Sequence, residues 1–104
     1  MAEIKPEILE KALEYLEQVK ERNIDIISAY IYGSFARNDN NELSDIDLAI
    51  VSNSFEGNIL IDIEKILGIS RKVDSRISVL PLNEESLDGF FIQSEVIEKG
   101  IRIY

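Results

Sequence analysis

The sequence predicts a layered α/β (α+β) domain with a small mixed sheet of three to four strands flanked by helices. Three observations carry this. Stretches with helical spacing of apolar residues, at 6–22, 59–67 and from 83 or 84 to 100, interleave with strand-like runs rich in isoleucine. The connection from Ser34 to Ser44 is too short for a helical crossover, so the first two strands run antiparallel and the sheet is mixed. The 104 residues, 45 % of them hydrophobic, suit one domain spanning 1–104 and leave no room for a second.

The first helix runs from Pro6 to Arg22. Proline suits its first turn, where a missing N–H costs nothing. Ile8, Leu9, Ala12, Leu13, Leu16 and Val19 form its buried stripe. Glu3, Glu7 and Glu10 lie near the positive end of its dipole, Lys20 and Arg22 near the negative end, and Asn23 stops it. Ile24 to Tyr32 is a strand whose near-continuous apolarity implies cover on both faces. Tyr30 and Tyr32 share a side, a pattern that fits packing with the hydroxyl at an edge and, as the lesser alternative, contact with a substrate. Gly33-Ser34 ends the strand, and Ser34 opens a short helix through Ala36 and Arg37.

A polar loop, Asn38-Asp39-Asn40-Asn41, leads to the second strand at Ser44–Val51. Along it Asp45, Asp47, Ala49 and Val51 take one face and Ile46, Leu48 and Ile50 the other. After a turn at 52–58, a helix covers Ile59–Leu67, with Ile59, Ile63, Ile66 and Leu67 on its inner face and Gly68 as its stop. The third strand is expected at Arg71–Leu80, with Asp74 near its start, Asp74, Arg76, Ser78 and Leu80 on one face, and Pro81 closing it. A last helix carries Leu87, Phe90, Phe91, Val96 and Ile97, with Gly89 weakening its first turn. Ile101–Tyr104 adds a short edge strand.

Composition excludes several kinds of function. With no Cys and no His, the chain holds no disulfide, thiol nucleophile, Ser-His-Asp triad or usual zinc site. Any metal is therefore held by oxygen, as Mg²⁺, Mn²⁺ and Ca²⁺ are. A net charge of −9 repels nucleic-acid backbones and anionic membranes. It favours a basic or neutral protein partner, or a small anion delivered with metal ions. No apolar run approaches a membrane span and the N-terminus is unlike a signal sequence, so a cytoplasmic protein is expected.

One stretch concentrates chemistry. Gly33-Ser34-Phe35-Ala36-Arg37 offers a small residue, a hydroxyl and a guanidinium; Asp45-Ile46-Asp47 follows after Ser44. Two acids on one strand face repel each other unless a cation lies between them. Transfer of a nucleotidyl group needs such a pair. A hydroxyl attacks the α-phosphorus as pyrophosphate departs, and two divalent ions about 4 Å apart stabilise both oxygens. Asp45 and Asp47 would hold the ions. A third carboxylate is needed on a neighbouring strand, and Asp74 is the natural candidate. Ser34, nearby backbone N–H groups and Arg37 would meet the phosphates.

The pattern GSFAR, six residues, then SDIDL resembles the signature of the DNA polymerase β-like nucleotidyltransferase superfamily, and within it the minimal nucleotidyltransferase (MNT) branch. Two departures are visible: Asn38 where a glycine is common, and Ser75-Arg76 after Asp74 where apolar residues are common. The resemblance implies the nucleotidyltransferase fold. It also implies Gly33, Ser34, Arg37 and Ser44 at the nucleotide; Asp45, Asp47 and Asp74 as catalytic metal ligands; two Mg²⁺ ions (or Mn²⁺); and ATP as substrate. MNT proteins frequently partner a HEPN-domain toxin, a helical ribonuclease, and act as antitoxin by moving AMP onto its tyrosines. They are small because they lack an acceptor-holding domain, and this chain is expected to lack it too. The same role is implied here, with a hetero-oligomer with the toxin or a homo-oligomer as possible assemblies. Two alternatives stay open: a non-catalytic antitoxin that neutralises by complex formation, and nucleotidyl transfer to a small-molecule hydroxyl.

Overall fold

A computed structural model describes residues 4–37, 41 and 44–104. Helix α1 (Pro6–Glu21) begins on Pro6 at its first turn and buries Ile8, Ala12, Tyr15, Leu16 and Val19. Asn23, at φ 63°, takes the left-handed conformation that turns the chain out of the helix. Strand β1 (Ser28–Tyr32) leads into the four-residue helix α2 (Ser34–Arg37), and β2 (Ile46–Val51) returns beside β1. Then come α3 (Ile59–Lys65), α4 (Ile69–Val73) and β3 (Ile77–Leu82). A 3₁₀ segment (Glu84–Asp88), a π-helix (Ile92–Glu98) and β4 (Ile101–Arg102) complete the order.

The sheet order is β3-β2-β1-β4. Strands β1 and β2 are antiparallel, β2 and β3 parallel, β1 and β4 antiparallel, giving the mixed four-stranded sheet expected. Side-chain alternation divides the core in two. Ile46, Leu48, Ile50 and Ile77 point toward α1, joining Ile8, Ala12, Tyr15, Leu16, Ile66 and Ile69. Ala49, Val51 and Leu82 point the other way, toward Ile92 and Val96 of the π-helix and toward Leu87. This second cover is smaller, and Asp45 and Asp47 lie on its face at the start of β2.

Four expectations are corrected. The third strand starts at Ile77 rather than Arg71, because residues 69–73 coil into α4. Pro81 lies inside this strand, not after it; β3 is a sheet edge, where a missing N–H leaves no ladder bond broken. The last helix is interrupted: Gly89 is extended (φ −66°, ψ 144°) and separates the 3₁₀ segment from the π-helix. The face of α3 is also different from expectation. Ile59, Ile63 and Leu67 are exposed, while Asp62 is fully buried. Its carboxylate accepts from Glu56 N–H at 2.7 Å and Gly57 N–H at 3.0 Å, fastening the loop after β2 to the helix.

Candidate active site

The end of β1 and the start of β2 build the site together. Tyr32 and Asp47 are register partners, so the carboxylate emerges beside the residue where β1 turns into α2. Gly33 makes that turn at φ 73°, and a Cβ there would overlap Asp47 Oδ2. Only glycine serves both needs: a left-handed backbone and room for the carboxylate. Arg37 N–H donates to the Gly33 carbonyl at 3.1 Å, closing α2 as one turn, and buried Phe35 and Ala36 hold it to the core. Ser34 is left half-buried and Arg37 exposed at the same rim. The Ser44 hydroxyl accepts from Asn41 N–H at 2.9 Å, which fixes the entry to β2.

Gly33, Ser34, Arg37, Ser44, Asp45 and Asp47 line one cavity of about 620 Å³. Six of the seven expected site residues are thus brought together. The Asp47 carboxyl is pushed above the usual carboxylate range by burial and by the neighbouring Asp45 charge, with Arg37 opposing. Burial, with the Asp47 charge, lifts the Tyr32 phenol to about 12, so it stays neutral. A carboxylate pair held in this way favours a cation between its members.

Asp74 is the expected residue that the structure sets apart. It follows α4 and precedes β3, and it is not among the residues lining the cavity. Its carboxylate accepts from Arg76 Nε at 3.1 Å and Nη2 at 2.9 Å, and from Arg76 N–H at 2.9 Å. Those hydrogen bonds hold it below the usual carboxylate range. The charges acting on this pair include Lys11 and Glu7 of α1, the helix on the opposite face of the sheet from Asp47. The placement of Asp74 on the strand beside the acid pair is therefore corrected. The residue in register with Asp47 on β3 is Ser78.

Among the described residues, Tyr32, Phe91 and Glu95 also line the cavity. In the sequence, Tyr32 fits packing first and a substrate contact second, Phe91 is one of the apolar residues of the last helix, and nothing marks Glu95. One signal was available. Phe90 and Phe91 are adjacent, and neighbouring positions of a helix cannot both face one core.

A family model described as polymerase beta, nucleotidyltransferase matches residues 11–104. The chain belongs to this nucleotidyltransferase family. Among solved structures, the chain resembles a protein from Sulfolobus solfataricus assigned as a nucleotidyltransferase, at 24% identity and a TM-score of 0.65. That match covers 91% of this chain and 78% of the other, and it speaks to the fold. No curated protein matches.

Nucleotidyltransferases of this family generally use Mg²⁺ and a nucleoside triphosphate. The donor set here fits such an ion: two carboxylates on one strand face, Asp47 raised by burial and by the Asp45 charge, in an open cavity. Among the described residues, no group of three or more His, Cys, Asp or Glu side chains could hold an ion. Two carboxylates suit Mg²⁺, which commonly takes one or two from protein and the rest of its shell from substrate phosphates and water.

Proposed function

We propose that this nucleotidyltransferase moves AMP from ATP to a hydroxyl of a partner protein, a tyrosine of a HEPN-type ribonuclease toxin, and acts as its antitoxin in the manner of the MNT branch. The observation that carries the transfer chemistry is the single cavity in which the Asp45–Asp47 pair meets Gly33, Ser34 and Arg37. Exposed Arg37, Asp45 and Phe91 flank it, so its mouth is open to a hydroxyl borne on a macromolecule.

In this reading the Ser34 hydroxyl donates to a phosphate oxygen, and Arg37 offsets charge on the leaving pyrophosphate. Asp45 and Asp47 would hold Mg²⁺ or Mn²⁺, which would supply charge neutralisation for the phosphates. Gly33 keeps Asp47 against the turn. The incoming hydroxyl oxygen bonds to the α-phosphorus, the bond to pyrophosphate breaks, and the hydroxyl proton leaves to water. A second ion on the nucleophile side would need an oxygen ligand in place of Asp74. On the neighbouring strand, the residue in register with Asp47 is Ser78, a hydroxyl rather than a carboxylate.

The test is transfer of label from ATP to a co-purified toxin of this type. Asp45→Asn combined with Asp47→Asn is expected to abolish it. Labelling that persists in the double variant contradicts the proposed site. Ser78 beside Asp47 favours one alternative, an antitoxin that neutralises by covering its target. That alternative gains if the double variant still neutralises.

A further inference from the structure

We infer that the aromatic–acidic wall of the cavity, Phe91 and Glu95, is a nucleoside subsite: the base stacks on Phe91 and the ribose hydroxyls donate to Glu95. This rests on the proposed use of the cavity for a nucleoside triphosphate. The cavity has two chemically distinct sides. Gly33, Ser34, Arg37, Ser44, Asp45 and Asp47 form a polar side suited to metal and phosphates. Tyr32, Phe91 and Glu95 form the other. Its volume of about 620 Å³ lies in the range of small-molecule sites, so triphosphate and nucleoside can be housed together.

The wall is built by the break in the last helix. Extended Gly89 restarts the chain, which then winds into the wide π-helix beginning at Ile92. Ile92 and Val96 turn inward to Ala49, Val51 and Leu82. Phe91 and Glu95, one position earlier in each case, turn together toward the cavity. The Phe91 ring meets Tyr32 edge to face, with centroids 6.4 Å apart and an interplanar angle of 87°. That contact fixes its orientation, and the residue remains 54% exposed. Aromatic surface held in place and left open is what a nucleobase stacks on. Glu95 is an acceptor whose carboxylate is held by Lys99 Nζ at 3.1 Å, and its remaining lone pairs suit paired ribose hydroxyls. Stacking tolerates any base but favours the larger purine face, so purine nucleotides are expected to bind more tightly than pyrimidine ones.

Calorimetric titration with Mn²⁺-ATP and with Mn²⁺-tripolyphosphate separates the subsite from the phosphate site. Phe91→Ala, and Phe91→Leu as the variant that keeps apolar bulk, are expected to weaken Mn²⁺-ATP by roughly ten- to a hundred-fold. Tripolyphosphate binding should stay at the wild-type level. Glu95→Gln should weaken ATP but not its 2′,3′-dideoxy analogue. Phe90→Ala, which alters a residue 88% exposed and outside the cavity lining, should change neither ligand. Wild-type ATP affinity in both Phe91 variants overturns the subsite, as does equal weakening of tripolyphosphate. Should tripolyphosphate bind equally well to wild type and to the Asp45→Asn, Asp47→Asn variant, the proposed phosphate site itself fails, whatever the Phe91 variants show.

Discussion

Gly33 and Asp47 depend on each other. The carboxylate lies where a glycine hydrogen takes the place of a side chain. Gly33→Ala therefore meets both a positive φ and Asp47. It should cost about 2 kcal/mol of stability, lowering the melting temperature by roughly 8–16 °C, and should abolish Mn²⁺ binding. Thermal melts with and without Mn²⁺ check both. Asp47 also sets a pH dependence. Because its folded-state carboxyl titrates above the unfolded value, its contribution to stability is greatest below the unfolded value and is lost as pH rises through the folded one. Asp47→Asn removes that loss. At neutral pH and without metal the variant should be more stable than wild type by about 0.2–1 kcal/mol, the usual size of a like-charge contact, and the difference should vanish in acid. Added Mn²⁺ should reverse the order. At about ten times its dissociation constant it stabilises wild type by about 1.4 kcal/mol and leaves the variant unmoved.

At the scale of elements, the loop after β2 rests on buried Asp62. Replacing it with alanine leaves the N–H groups of Glu56 and Gly57 without an acceptor, at a cost of about 2–4 kcal/mol measurable by denaturant unfolding. Asp74 gives the opposite expectation for function. Asp74→Asn should leave Mn²⁺ binding at the wild-type level, because the residue is engaged with Arg76 and outside the cavity lining. Loss of Mn²⁺ binding in that variant would restore Asp74 to the metal site. These two acids show what the sequence could convey. The strands β1 and β2, their antiparallel pairing and the face shared by Asp45 and Asp47 follow from alternation and from a short connection, so they were legible. Asp74 was misplaced because residues 71–76 alternate plausibly as a strand, while local hydrogen bonding in fact coils 69–73 and ties Asp74 to Arg76. Asp62 lay hidden among isoleucines, since its burial depends on backbone N–H groups that no side-chain pattern records. Phe91 and Glu95 could be placed only once Gly89 had broken the helix.

On the scale of the molecule, the four-stranded sheet is covered by α1 on one face and by the π-helix on the other. The cavity opens where the second cover ends. Among the described residues, no helix is long and apolar enough to cross a membrane. The same architecture that packs Ile92 and Val96 against β2 brings Phe91 and Glu95 to the acid pair, so stability and nucleotide recognition share one element. The most direct test of nucleotidyl transfer compares ATP labelled at the α-phosphate with ATP labelled at the γ-phosphate, each incubated with Mg²⁺ and the partner protein. Label is expected on the partner from the α-phosphate alone, dependent on Asp45 and Asp47. Label arriving from the γ-phosphate, or from neither, would contradict nucleotidyl transfer.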